Sequence, residues 1–249
     1  MNVRDRLIRT RLFRVAKWPT RVALWHLGYE IQRIGSSEAT VIRRLLQSED
    51  VDLVVDVGGN QGQYGGFMRL LGYSGDLISF EPSTDAYRLL KRSTKKDSNW
   101  VAVQAALGAT NDLSFLNVSA NSVSSSLLHV TRRHTQAERA SEPIASERVP
   151  VLPLDGQLDQ YGDERRIWLK LDVQGYEGEV LKGATHTLPR CRVIQCEASL
   201  QALYEGGTDY LELLTIVRDE GFTMVWIQPG FIDHESGEVL QFDFIAVRR

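Results

Sequence analysis

From Val51 onward, short apolar runs alternate with segments of helical periodicity, and that alternation constrains the fold more than any other feature of the chain. VDLVVDV (51–57), DLISFEP (76–82), WVAVQAAL (100–107), RRIWLKLDV (165–173) and CRVIQCEA (191–198) read as strands. Between them, Gly62–Leu71, Thr84–Lys96, GYEGEVLKGA (175–184) and Tyr210–Glu220 read as helices, and VLPLDGQL (151–158) as an edge strand with a helix start. Such alternation predicts a mostly parallel sheet with helices on both faces, an α/β fold. FTMVWIQ (222–228) and QFDFIAVRR (241–249) follow one another with no helix between, which predicts an antiparallel hairpin at one edge.

Two segments stand outside this rhythm. Residues 1–48 read as a helical extension to a single domain over 49–249. Its first helix sets Val3, Leu7, Ile8, Leu12, Phe13 and Val15 at helical spacing among Arg4, Arg6, Arg9, Arg11 and Arg14, Pro19 ends it, and a second helix is predicted from Ser37 to Gln47. A basic amphipathic helix suits peripheral contact with anionic lipid or a phosphorylated substrate. A solvated helix packed on the domain, or a homodimer surface, is the plainer reading. Residues 117–148 are polar, Ser-rich and then charged, and read as an irregular insertion, a lid over the acceptor.

Composition narrows the function. The net charge of −3 gives no basic field for nucleic acid, and no apolar run is long enough to span a bilayer. The N-terminus lacks the apolar stretch and cleavage site of a secretory signal, and Cys191 and Cys196 form no disulfide framework, so a cytoplasmic protein with free thiols is expected.

The glycines after the first strand, in DVGGNQGQYG (56–65), mark a ligand site. A nucleoside-triphosphate loop needs a Lys that is missing at the required spacing. A dinucleotide fingerprint needs glycines where Asn60 and Gln63 stand, and a pyrophosphate would be repelled by Asp56. S-adenosylmethionine carries a sulfonium and an ammonium, which an acid at Asp56 attracts. Gly58 and Gly62 leave room for it, Asn60 offers a donor and an acceptor, and Glu81 ends the next strand at about the twenty-residue spacing of a ribose-binding acid.

DVGGNQGQYG, FEPSTDAYRLL, VPVLPLDGQL and WLKLDVQGYEGEVLKGA, in this order over about residues 51–200, resemble the FkbM family of S-adenosylmethionine-dependent methyltransferases, and KLDVQGYE is the most distinctive block. The resemblance implies a Rossmann-like class I methyltransferase fold, with a seven-stranded sheet and a reversed last strand. It also implies methyl transfer to oxygen, often a sugar hydroxyl of a glycolipid, polysaccharide or glycosylated natural product. Gly59 is a small departure, since the family commonly has Ala there. The cofactor-lining set expected is Asp56, Gly58, Gly59, Asn60, Gly62, Tyr64, Glu81, Pro82, Ala105, Ala106 and Asp172.

An acceptor hydroxyl needs a base or a metal to become a nucleophile. Asp172 ends the fourth main strand and is the leading candidate, with Lys170 on the same strand face and Glu197 at the end of the neighbouring strand. Lys170 reads equally as half of a structural ion pair, Glu177 as a helix-terminus acid and Asp155 as an N-cap. A divalent cation held by Asp172 and Glu197 is the alternative to a metal-free base. His129 and His134 in the insertion are further candidate bases, and Arg132 and Arg133 could grip an acidic group. A nicotinamide-dependent oxidoreductase and a cofactor-binding module without catalysis are the competing functions.

Overall fold

The computed structural model describes residues 37–249. The basic helix read within residues 1–36 lies outside the described residues. The chain divides into a unit Met1–Val41 and a unit Ile42–Arg249, a boundary inside helix α1 (Glu38–Ser48).

The main sheet has seven strands, in the order β3 (Trp100–Val103), β2 (Asp76–Phe80), β1 (Leu53–Val57), β7 (Ile167–Leu171), β8 (Cys191–Ser199), β10 (Gln241–Arg248) and β9 (Phe222–Pro229). Neighbours from β3 to β8 run parallel, and β10 is antiparallel to both β8 and β9. Every residue of β1 (LVVDV) and β7 (IWLKL) is buried, as expected for central parallel strands covered on both faces. Helices α2 (Gln63–Leu70), α3 (Thr84–Thr94), α6 (Glu177–Lys182) and α7 (Tyr210–Asp219) supply the connections expected from the sequence. Among the described residues no helix is long and apolar enough to cross a membrane.

Two stretches differ from their sequence reading. WVAVQAAL is not one strand. After β3 the Ala105 N–H turns back onto the Val103 carbonyl at 3.2 Å, and β4 (Ala106–Leu107) joins a different sheet. This turn brings Ala105 and Ala106 to the strand ends. The insertion is also more ordered than its polarity implies. β5 (Asp112–Ser119) and β6 (Pro143–Leu152) form an antiparallel pair within a three-stranded sheet of order β4-β6-β5. Leu116, Val149 and Val151 of that pair are buried in a small apolar cluster with Ala106, Val118 packs against it, and Leu113, Phe115 and Ile144 are left exposed. Between them lies the short helix α4 (Arg132–Ala137). Helix α5 (Leu154–Leu158) follows β6, and Asp155 does not cap it. Its carboxylate instead accepts hydrogen bonds from the backbone of His186 and Thr187, bracing the turn before β8.

Candidate active site

A cleft of about 650 Å³, mouth included, opens at the carboxyl ends of β1, β2 and β7. Its size is that of a small-molecule site at the switch point of an α/β sheet. Gly58 leaves β1 with φ +80°, and a Cβ there would stand 1.9 Å from the Asp172 carbonyl oxygen, so only glycine fits. Gly62, at φ +91°, lets α2 start against Trp100 and Leu90 and does not line the cleft. Pro82, Ala105 and Ala106 line the cleft, and so do Ser122, Val123, Ser125, Ser126 and Leu127 of the insertion.

Glu81 is buried at the end of β2 and lines the cleft. Its Oε2 accepts the Asn60 N–H and its Oε1 the Ser83 N–H, each at 2.8 Å. Burial pushes the carboxyl up to about 7 against the pull of those two N–H groups. Ribose hydroxyls donating to this group favour its charged form, so a bound nucleoside draws the carboxyl's pKa down and its affinity rises with pH. Calorimetry with S-adenosylhomocysteine is expected to show Kd weakening by up to about tenfold per pH unit as the pH falls below about 7. A flat profile from pH 5.5 to 8 would remove Glu81 from the contact. The side chain of Asn60 also faces the cleft, and its Oδ1 is buried without a hydrogen-bond partner among the described residues, an acceptor awaiting a donor.

Asp56 requires a correction. Its side chain has no exposure, does not line the cleft and is paired with Lys170, Nζ to Oδ1 at 3.1 Å, with the Ser79 hydroxyl donating to Oδ2 at 2.9 Å. Its charge is neutralised under the floor of the cleft instead of meeting a cationic ligand. Lys170 is likewise buried; Nζ also meets Asp172 Oδ2 at 3.4 Å and the Gly58 carbonyl at 3.2 Å. Burial opposes the Lys170 charge, but Asp56 and then Asp172 outweigh it and hold the ammonium above its ordinary value. Its contacts are those of a cation held between two carboxylates. Tyr64 does not line the cleft either; its ring lies 5.2 Å from Lys170 Nζ and its hydroxyl donates to Gln195 at 2.8 Å. Gly59 has the same kind of role, since a Cβ there would stand 2.9 Å from Ser79 Cβ.

Asp172 keeps the place that the sequence reading gives it. It lines the cleft with 41% of its side chain exposed, between Lys170 and Gln174. Gln174 Nε2 donates to Asp172 Oδ1 at 2.9 Å and to Glu197 Oε2 at 2.7 Å, while Gln174 Oε1 accepts the Tyr204 hydroxyl at 2.7 Å. Glu197 also accepts Gln241 Nε2 at 2.8 Å and does not line the cleft. Burial, then the charges of Asp172, Asp243 and Glu177, hold its carboxyl well above the usual range. An amide hydrogen-bond donor thus fills the gap between the two carboxylates where a shared cation would sit, and among the described residues no group of three or more His, Cys, Asp or Glu could hold a metal ion. The donor set does not fit a divalent cation. Glu177 accepts N–H bonds from Val173 and Gly175 and braces the turn into α6 from inside.

The insertion's histidines do not reach the cleft. His129 is exposed. His134 is buried with its ring 5.1 Å from Tyr204 and 5.3 Å from Phe231, and burial pushes its pKa down to about 4. A neutral ring in an aromatic nest is core, not a base for this site. Arg132 is exposed, and Arg133 is tied to Asp233 and Glu238 at 2.8 Å each. With Thr131 bonded to the Ala202 carbonyl and Ser126 to the Gln174 carbonyl, the insertion is strapped down at several points, a fixed wall more than a lid.

Backbone strain marks the same place. Among the described residues four non-glycines have positive φ, and three of them, Asn60, Ser122 and Gln174, line the cleft. Such conformations persist where the surroundings enforce them, typically at functional sites. The sequence reading missed Ser122, Gln174 and Tyr176 as lining residues, and Tyr204, which stands behind Gln174 and does not line the cleft.

A cleft with a carboxylate at the end of the second strand and a glycine turn after the first, above a parallel sheet with a reversed edge, is the arrangement of the class I methyltransferase fold. The Methyltransferase FkbM domain matches residues 56–224, and the chain belongs to that family. The methyltransferase FkbM of Methylobacillus flagellatus KT has the same fold, with TM-score 0.51 and 15% identity over 78% of this chain and 44% of that one. The present chain thus spans less than half of that protein. Aeropyrum pernix fibrillarin, solved with natively bound S-adenosyl-L-methionine, aligns at TM-score 0.47 and 12% identity over 84% of this chain and 73% of its own. A precorrin-6y C5,15-methyltransferase from Geobacter metallireducens GS-15 aligns at TM-score 0.44 and 12% identity over 88% of this chain and 93% of its own. Among curated proteins none matches the chain.

Proposed function

We propose that the protein methylates oxygen, on a sugar hydroxyl of a glycolipid, polysaccharide or glycosylated natural product. The observation that carries this reading is Asp172, a half-exposed carboxylate on the floor of the cofactor cleft with its oxygens steadied by Lys170 and Gln174. Bound S-adenosylmethionine supplies an electrophilic methyl group. Gly58 admits it, and Glu81 and Asn60 hold its nucleoside. Asp172 then accepts the acceptor's hydroxyl hydrogen and aims the oxygen, so that most of the catalysis is orientation together with removal of one proton. Lys170 and Gln174 fix the carboxylate in place, which puts the weight on aim. The insertion's serines that line the cleft extend a hydroxyl-rich surface of the kind that suits a polyol.

The test is a screen of the purified chain with methyl-labelled S-adenosylmethionine against glycan and glycolipid extracts. Label in a sugar methyl ether is expected; label on nitrogen, carbon or a protein would redirect the assignment. For a lipid-linked acceptor we further propose peripheral membrane contact through the basic N-terminal segment. It is expected to give co-sedimentation with anionic vesicles that fades about when the salt raised shortens the Debye length from 10 Å to 3 Å. Equal recovery with neutral vesicles would argue against it.

A further inference from the structure

The inserted segment reaches the cleft through its N-terminal part, and does so at the cofactor's end. Ser122 and Val123 line the cleft with Asn60 and Glu81. Ser122 Oγ stands 3.5 Å from Asn60 Nδ2, a contact at the limit of a hydrogen bond, so neither group is saturated by the other. Asn60 Oδ1 has no hydrogen-bond partner among the described residues, while the Asn60 N–H is bonded to Glu81 Oε2 at 2.8 Å. Three polar groups therefore converge on one corner with hydrogen-bonding capacity left over. Both Asn60 and Ser122 reach that corner in the left-handed conformation, at φ 44° and 59°.

That corner is not loose. Asn117 and Ser126 exchange backbone hydrogen bonds at 2.8 and 3.2 Å, and the Asn121 side chain ties Ser124 at its N–H and at its hydroxyl. Ser126 Oγ donates to the Gln174 carbonyl at 2.8 Å. The turn that strains Ser122 is thus held from both sides, and the strain is maintained for a position whose hydroxyl faces the cleft. Val123 beside it is 55% exposed at the rim, apolar surface left for something to cover.

We propose that Ser122 is a cofactor-binding residue, its hydroxyl completing with Asn60 and Glu81 a three-sided cradle for the ribose hydroxyls of S-adenosylmethionine. The inserted segment is then a wall of the cofactor site as well as a boundary of the acceptor's approach. This rests on the cofactor assignment and is independent of what the acceptor is.

Ser122→Gly removes the hydroxyl and keeps the backbone, since glycine adopts this φ without strain. Calorimetry with S-adenosylhomocysteine and with methylthioadenosine, which keeps the ribose and lacks the amino acid, is expected to show both weakened about three- to tenfold, the value of one hydrogen bond. Hydrogen exchange on the full chain is expected to slow at the amides of 122–127 when S-adenosylhomocysteine is added. Unchanged affinity in Ser122→Gly, loss confined to S-adenosylhomocysteine, or exchange slowed at 58–62 but not at 122–127 would overturn the assignment of Ser122 and leave the cofactor standing. Failure of the unmodified chain to bind either nucleoside would overturn both.

Discussion

Asp172→Ala protein is expected to bind S-adenosylhomocysteine within about threefold of the unmodified chain while methyl transfer at saturating acceptor falls by about 10²–10⁴. The separation follows from geometry. Asp172 contributes its main-chain carbonyl to the contact with Gly58, which the substitution keeps, and its carboxylate to the open side of the cleft, which the substitution removes. The loss is expected in kcat because the group works on the hydroxyl as the new bond forms. Tyr204→Phe offers a graded version: it keeps the ring that packs on His134 and deletes only the hydroxyl that orients Gln174. Parallel rate and calorimetric measurements on both variants decide the matter. Full turnover in Asp172→Ala would remove that residue from the chemistry, and equal loss of binding and turnover would make it a cofactor ligand only.

The second large effect is on stability. Lys170→Met leaves Asp56 with no exposure and no counter-charge, and one partner of a buried pair removed alone costs about 3–5 kcal/mol. Chemical denaturation is expected to show that loss in the apo chain. The double variant Lys170→Met with Asp56→Leu is expected to recover most of it, because a buried ion pair replaced on both sides by apolar groups is close to neutral. A single variant as stable as the unmodified chain would show that the ion pair has no structural role.

The backbone architecture was legible because its signals are local. The strands within VDLVVDV and RRIWLKLDV, LVVDV and IWLKL, are apolar with one charged residue each, and these two, Asp56 and Lys170, prove to be register partners on adjacent strands. That pairing is also why the reading of Asp56 went astray. Its sign was right, but a lysine from more than a hundred residues along the chain satisfies it, and nothing within either segment reports the pairing. Glu81 and Asp172 were legible as carboxylates at strand ends, where a parallel sheet places its ligands. The β5–β6 pair was not, because it lies in a polar, Ser-rich and then charged stretch and buries only a few residues in a small apolar cluster, too few for a strand signal. His134 misled for the opposite reason: a ring in a polar stretch looks available until Tyr204 and Phe231 close over it. The strained conformations of Ser122 and Gln174 have no sequence signature short of a structure.

One titration bears on the centre of the account, which is that the cleft between Glu81 and Asp172 takes a sulfur nucleoside without phosphates. S-adenosylhomocysteine and a nicotinamide dinucleotide are each titrated into the unmodified chain and into Glu81→Ala. Saturable heat with S-adenosylhomocysteine alone, lost or weakened at least about tenfold in Glu81→Ala, is the expected result, since hydrogen bonds to a charged group are worth about 1.5–3 kcal/mol. Heat with the dinucleotide and none with S-adenosylhomocysteine would contradict it.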